Sequence, residues 1–497
     1  MFSQKKTGAF LSYMNIIVKN AVTFMYTPFL LKFIGQSDYG LFQMTNSIIT
    51  SLSLLSLGFS SSYVHFYIKY KSNNEYENIK KLNGMYLVLF CFISLVAICI
   101  GSVLTLNADN IFNLKQSQVN LMKKLMGIMI LNVALSFPSS VFDSNIIVNQ
   151  KFIYQQGRQL LQTILVPLIA VPMIMLGSGV LAIGITQTIV TTLFLCINAN
   201  FCIRNLKMKF KFKNKKFTMV KEILAFSFFV FLNQIVDLIN NSGPNFILGI
   251  FEGADKVATF SIAIQIKNLF FMLSISLSDV FIPKVNELVS QKKETKVLTE
   301  LMIRIGRIQM VVLLFIFGGF IVDGQYFIHL WAGDRNMLAY WLVLGMVLPS
   351  IGPLSQNIGI EIQRAMNMHA FRSIVLLIFA AINIVLTAEG TKYFGLLGAS
   401  SGYVIGMIFA NGCLMNWYYH YKMDLDIVLY LKQTISVVIP FFVSIVLMLF
   451  CQLFIPVSST LLFLLYGIVY VFLFLIIYLS FVANNYEKQL IFGKFYN

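Results

Sequence analysis

Charge is scarce in this chain. Asp, Glu, Lys and Arg make up 11% of its 497 residues, where ordinary soluble domains carry about 25%. With 58% hydrophobic residues and a mean hydropathy of +0.78, a water-soluble fold is excluded and a polytopic membrane protein is expected. Histidine is rarer still: His65, His329, His369 and His420 are scattered, with no spacing suited to a metal. The six cysteines lie in or at the ends of apolar runs and form no CxxC pair, so they read as small core residues. There is no glycine-rich phosphate loop, no GxSxG, and no loop long enough to be an extramembrane domain. The chain is therefore expected not to be an enzyme, with neither a metal nor a cofactor. No cleavable leader stands out, because the first apolar run follows Lys5 and Lys6 without a small-residue cleavage pattern.

Long apolar runs are what the chain has in abundance. A spanning helix needs about 20 residues, and on that measure about fourteen spans can be drawn. They fall near 8–33, 41–68, 83–106, 120–148, 158–176, 179–203, 219–248, 257–285, 299–322, 337–361, 370–390, 394–420, 429–455 and 458–483. Placing the N-terminus in the cytoplasm puts most of the 37 Lys and Arg on the inner side. The inner set includes Arg304 and Arg307 and the run Arg204–Lys221, RNLKMKFKFKNKKFTMVK. This is the positive-inside bias, and it places both termini in the cytoplasm. The net charge of +17 thus reports topology and not nucleic-acid binding.

The run Gly8–Gly40 is long enough to span yet carries Lys19 near its middle. Ser12, Asn15, Lys19, Thr23 and Tyr26 are spaced to form one helical stripe. A lysine in hydrocarbon costs roughly 2.5–3.5 kcal/mol on insertion scales, so this face should look at protein or at a water-filled cavity. Shifting the chain by about 218 residues brings Ala225–Gly253 into register, with Asn15 on Asn233 and Lys19 on Asp237, as parallel repeats would. The expected organisation is an all-α chain of two six-helix bundles, 1–205 and 219–424. A basic cytoplasmic linker at 206–218 joins them, and 425–497 supplies two further spans suited to lipid contact or to docking on a bundle.

Intramembrane polar residues are functional candidates. The cavity set is Lys19, Asn15, Asn20, Asn233, Gln234, Asp237, Asn240, Asn241 and Lys267, with Asp237, Asp143 and Asp279 as candidates for ion coupling. Asp237 is expected to lie across a cavity from Lys19. Interhelical hydrogen bonding is the competing account of all of them. The Pro349–Gly352–Pro353 cluster is a hinge candidate.

Tyr13, Asn15, Pro28–Phe29–Leu30 and Gly35 with Tyr39–Gly40, together with the stretches around Ala225–Leu288 and Val280–Val285, resemble the bacterial polysaccharide transporters. These are the flippases of O-antigen and capsule repeat units within the multidrug/oligosaccharidyl-lipid/polysaccharide exporter superfamily. The resemblance covers nearly the whole chain. It implies two bundles forming a V with alternating access in the cytoplasmic membrane. The implied substrate is an undecaprenyl-pyrophosphate-linked oligosaccharide, with membrane lipid and glycan polymerase or assembly proteins as partners. The lysines would neutralise pyrophosphate and the amides would pair with sugar hydroxyls. The alternatives are a cation-coupled multidrug exporter, which an acidic aromatic cavity would suit, and a lipid II flippase.

Overall fold

A computed structural model describes residues 4–212, 223, 227, 231 and 234–493, and the described residues form helices and no strand. Hydrocarbon offers no hydrogen-bond partner to the backbone, so a spanning segment must bond to itself. Among the described residues, eleven segments are long and apolar enough to cross a membrane. The three other expected spans coincide with a first helix that Asn15, Lys19 and Asn20 make less apolar, with residues 223–251, which are described in part, and with the helical residues 401–422.

The chain divides into two compact units, Met1–Ser261 and Ile262–Asn497. The first contains α1 (Gln4–Phe33), α2 (Gly35–Ser53), α3 (Phe59–Ser72), α4 (Tyr76–Leu106), α5 (Gln116–Val148), α6 (Phe152–Met173), α7 (Leu181–Asn200) and α8 (Gly243–Phe251). At its centre is α5, packed on α2, α3, α4 and α7. Of its most apolar window 56% is buried, against 11% for the segment containing α6, so α5 is core and α6 faces outward. A polar knot binds the helices: Tyr63, fully buried, donates to Asn83 Oδ1 at 2.7 Å and accepts from Asn145 Nδ2 at 2.9 Å. Asn83 in turn donates to the carbonyl of Lys209 at 2.9 Å. The start of the basic linker is thereby pinned. The Lys211 amide bonds Lys80 O at 2.9 Å, and its ammonium meets Glu77 at 2.9 Å. Residues 213–218 of that linker lie outside the described residues.

The two compact units divide inside α9 (Ala254–Asp279). Residues 243–261 pack within the first unit. Gly40 lets the backbone of α2 meet Ala254, where a Cβ would stand 1.9 Å from the Ala254 carbonyl oxygen. Asn113 Nδ2 donates to Phe251 O at 3.1 Å, and Gln36 Nε2 to Asp255 O at 3.1 Å.

Two expected spans are interrupted. Residues 41–68 break between α2 and α3, where Leu57 and Gly58 are both left-handed, with φ of 48° and 68°. The span expected at 337–361 ends as α11 at Ser355, just past Pro349 and Pro353, and restarts at Asn357.

The second unit is built around α10 (Thr295–Ala332), which packs on α11 (Leu338–Ser355) and residues 427–434. It also packs on α12 (Val438–Phe454) and α13 (Thr460–Ile477), the two additional C-terminal spans, which dock on this unit. Tyr470 reaches over Gly318 to donate to Phe315 O at 2.8 Å. Arg307 is buried in α10, not placed in a loop, and its partner is Glu487 on α14 (Asn485–Phe492). Nε donates to Oε1 at 2.6 Å and Nη2 to Oε2 at 2.9 Å. The remaining N–H groups go to Gln433 O, to Ser436 Oγ at 3.1 Å and to Val482 O at 3.1 Å. All five guanidinium donors are used.

This pair sets a stability prediction. Burial alone would raise the Glu487 carboxyl, but the hydrogen bonds from Arg307 and from the Asn484 amide outweigh it and hold the group below its ordinary value. A depressed carboxylate stabilises the fold above its unfolded pKa, about 4.3, and the contribution is lost as pH falls through the folded value. Glu487→Ala strands the Arg307 cation and should cost about 3–5 kcal/mol. Glu487→Leu with Arg307→Met should recover much of that loss. Thermal unfolding of purified protein in detergent checks both expectations. The double variant should also lose the part of the acid sensitivity that Glu487 contributes, and single-variant losses that simply add would refute the coupling.

Candidate functional site

The break in the second span makes a site. A cavity of about 410 Å3 opens at it, within the first unit. One wall is the end of α2 and the turn after it, with Thr50, Ser53, Leu54 and Ser56, and Ser60 follows at the start of α3. Ser136, Phe137 and Ser140 of α5 form the second wall, beside Pro138. Gln234, Asp237, Leu238, Asn241 and Ser242 form the third. Irregular backbone at membrane depth is tolerated where it lines a cavity or is buried in protein. A left-handed non-glycine residue such as Leu57 costs of order 1–3 kcal/mol and persists where surrounding structure holds it. Residues 272–276, which the 218-residue shift sets opposite 54–58, run helically inside α9, so the notch has no counterpart there.

The lining is hydroxyls and amides with one carboxylate. Much of its donor capacity is already spent. Thr50 Oγ1 donates to Asn46 O at 2.8 Å, Ser53 Oγ to Thr50 O at 2.6 Å, Ser136 Oγ to Val133 O at 2.7 Å and Ser140 Oγ to Ser136 O at 3.0 Å. Asn241 Nδ2 donates to Asp237 O at 2.9 Å. Gln234 Oε1 is buried with no hydrogen-bond partner among the described residues.

Of the residues singled out in the sequence, Gln234, Asp237 and Asn241 come together here. Asn240 is a half-buried neighbour outside the lining, with a partner of its own. Asn233 lies outside the described residues. Lys19 is exposed on α1, is not part of the lining and does not pair with Asp237. Asn20 bonds back to Ile16 O at 2.7 Å. Asn15 holds α1 against α6 by donating to Gln156 O at 2.9 Å and Oε1 at 2.7 Å. Asp143 has a structural account as well. Arg158 stands 3.1 Å away, Asn198 Nδ2 donates to it at 2.7 Å, and Tyr154 donates to Asn198 at 3.1 Å, which ties α5, α6 and α7 together.

In the second unit Lys267 is buried, its ammonium 4.4 Å from the ring centre of Tyr403 and 5.5 Å from that of Phe271, with no carboxylate partner among the described residues. Asp279 is the partly exposed last residue of α9. Sequence reasoning missed the serines of the notch. Their signal was the density of hydroxyls in TSLSLLSLGFSSSY, residues 50–63, around Gly58. It also missed Asp323, buried in α10 with Oδ1 unpartnered among the described residues.

The notch yields its own prediction. Gly58→Ala places a Cβ in the left-handed region, at a cost of about 1–2 kcal/mol, and biases the span toward a continuous helix. In a cysteine-free background, Ser53→Cys should react with a water-soluble thiol reagent, and adding Gly58→Ala should slow that reaction several-fold. An unchanged rate would mean that the break does not hold the cavity open.

Three comparisons bear on this geometry. In structure, the lipid II flippase MurJ in an inward closed conformation is similar over 99% of this chain and 100% of its own, with a TM-score of 0.74 at 15% identity. An inward-facing multidrug resistance MATE transporter of the MOP superfamily is similar over 82% of this chain and 98% of its own, with a TM-score of 0.62 at 13% identity. The Vibrio cholerae MATE transporter VcmN in its bent form covers 86% of this chain and 100% of its own, with a TM-score of 0.53 at 12% identity. No curated protein matches in sequence. The family model described as polysaccharide biosynthesis protein matches residues 6–289, which include every residue of the notch, and the chain belongs to that family.

Proposed function

We propose that this protein moves an undecaprenyl-pyrophosphate-linked oligosaccharide, an O-antigen or capsule repeat unit, across the bacterial cytoplasmic membrane by alternating access. The observation that carries the reading is a hydroxyl- and amide-lined cavity of about 410 Å3 set at a break in a membrane helix. A polyhydroxyl head needs many hydrogen-bond partners in a place where lipid supplies none. The lipid tail needs none and stays in the bilayer. The chain acts as a mover and not as an enzyme, works without a cofactor, and has both termini in the cytoplasm, as the positive-inside bias requires. Glycan polymerase or assembly proteins would take the delivered unit.

Two further readings belong to the same fold. A cation-coupled multidrug exporter is favoured by Asp237, yet among the described residues the cavity lining holds a single aromatic, Phe137, where flat organic cations call for aromatic walls. A lipid II flippase shares the lipid-linked sugar chemistry. Expression in one strain lacking its own repeat-unit flippase and in another depleted of its lipid II flippase separates the readings: surface glycan should return in the first and growth should not in the second. The exporter reading predicts neither rescue, but resistance to cationic dyes.

Lys19, exposed on α1 and with no ion-pair partner among the described residues, is the proposed contact for pyrophosphate. Lys19→Arg keeps the charge and should keep most of the surface glycan, while Lys19→Gln should lose most of it at equal membrane levels. Full activity of Lys19→Gln would remove this residue from the substrate path.

A further inference from the structure

The direction of the hydrogen bonds in the notch says which sugars it takes. A hydroxyl has one proton to give and two lone pairs to offer. Thr50, Ser53, Ser136 and Ser140 each give that proton to a carbonyl of their own helix. What they present to the cavity is lone pairs. Asp237 adds a carboxylate that no cation pairs among the described residues, and Gln234 Oε1 adds an acceptor with no donor. The amide N–H groups of Gln234, the second N–H of Asn241 and the hydroxyls of Ser56, Ser60 and Ser242 remain able to donate. No lysine or arginine lines the cavity among the described residues. The surface is thus rich in acceptors, carries one negative charge, and asks its ligand for donors.

We infer, on the reading of the chain as a mover of lipid-linked glycan, that this cavity is a sugar subsite for a residue bearing hydrogen-bond donors, neutral or amino-substituted, and that it excludes uronic acids and phosphate. A sugar hydroxyl donates to the spent serine oxygens, and a vicinal pair can donate together to the two oxygens of Asp237. An ammonium substituent meets Asp237 as a charge-assisted partner. A sugar carboxylate brings like charge against Asp237 and acceptors against acceptors, which is the repulsive half of selectivity. The pyrophosphate must then sit elsewhere, which agrees with Lys19 standing outside this lining.

The test uses the full chain in lipid nanodiscs with three soluble trisaccharides followed by saturation-transfer NMR. They are tri-N-acetylglucosamine as the neutral probe, its fully deacetylated form as the amino probe, and trigalacturonate as the anionic probe. The amino sugar should bind best, the neutral one next, and the uronate should not compete with either. Asp237→Asn should weaken the amino sugar by roughly tenfold, the scale of a hydrogen bond to a charged group, leave the neutral one within a few-fold, and admit the uronate. Thr50→Val, which removes an acceptor at nearly constant shape, should weaken the neutral probe without admitting the uronate. Thermal unfolding confirms that both variants fold. Equal binding of uronate and neutral sugar by the unaltered chain, or an order that Asp237→Asn does not change, overturns the inference. Binding by none of the three overturns the subsite. The rescue of surface glycan is an independent readout, so the mover reading can survive either failure.

Discussion

Hydrocarbon cannot hydrogen-bond, and that constraint shapes every part of this molecule. It turns the spans into helices, because each backbone N–H must find its carbonyl within the same segment. It also turns each polar side chain at depth into a demand for a partner. Most of those demands are met by neighbouring helices: Asn15 by Gln156, Asp143 by Arg158 and Asn198, and Tyr63 by Asn83 and Asn145. Interhelical bonds of this kind contribute on the order of 0.6–2 kcal/mol each. Their larger effect is on register, since a helix that slides or rotates leaves a polar group facing lipid.

The same constraint identifies the exception. Leu54–Gly58 interrupts a span and holds two left-handed residues in succession. In lipid such a break would be costly, and here it borders a polar cavity. The neighbouring serines bond back to their own helices, which satisfies their protons and leaves oxygens facing the space. The break, the serines of α5 and the polar face of residues 234–242 therefore form a single feature. Its described lining lies in one compact unit.

Much of the architecture was legible in the sequence. Apolar run lengths carry the helical fold and most of the spans. The breaks were less legible. Residues 41–68 read as one apolar run because hydropathy averages over side chains and does not register backbone dihedrals. Arg307 read as a loop charge because its partner, Glu487, is 180 positions away, and hydropathy places a cation near a span end by default. The site was half legible. Asp237, Gln234 and Asn241 stood out as polar residues in an apolar stretch. Serine is too common in membrane helices, where it bonds back to its own turn, for Ser53, Ser136 and Ser140 to stand out. Lys19 was conspicuous for its cost, yet cost alone did not say which space it faces.

Lys19 and Asp237 stand apart in the first unit. The cavity holds a carboxylate and acceptors, and the exposed lysine of α1 lies outside it. A lipid-linked sugar is divided in the same way, with donors on its glycan end and anionic oxygens at the junction with its lipid. A single pocket carrying both signs would spend its carboxylate on its own lysine, since a close pair of opposite charges satisfies itself before it satisfies a ligand. Asp237 and Lys19 do not pair, so on the proposed function each stays available to a different part of the substrate. Separation of this kind also fixes the direction in which a head-to-tail ligand can enter. A ligand turned end for end would set its phosphates against Asp237 and its hydroxyls against a lone ammonium. On the proposed function, the physical basis of orientation is thus the separation of two charges that do not pair with each other, and the helix break sets one of them on a cavity of its own.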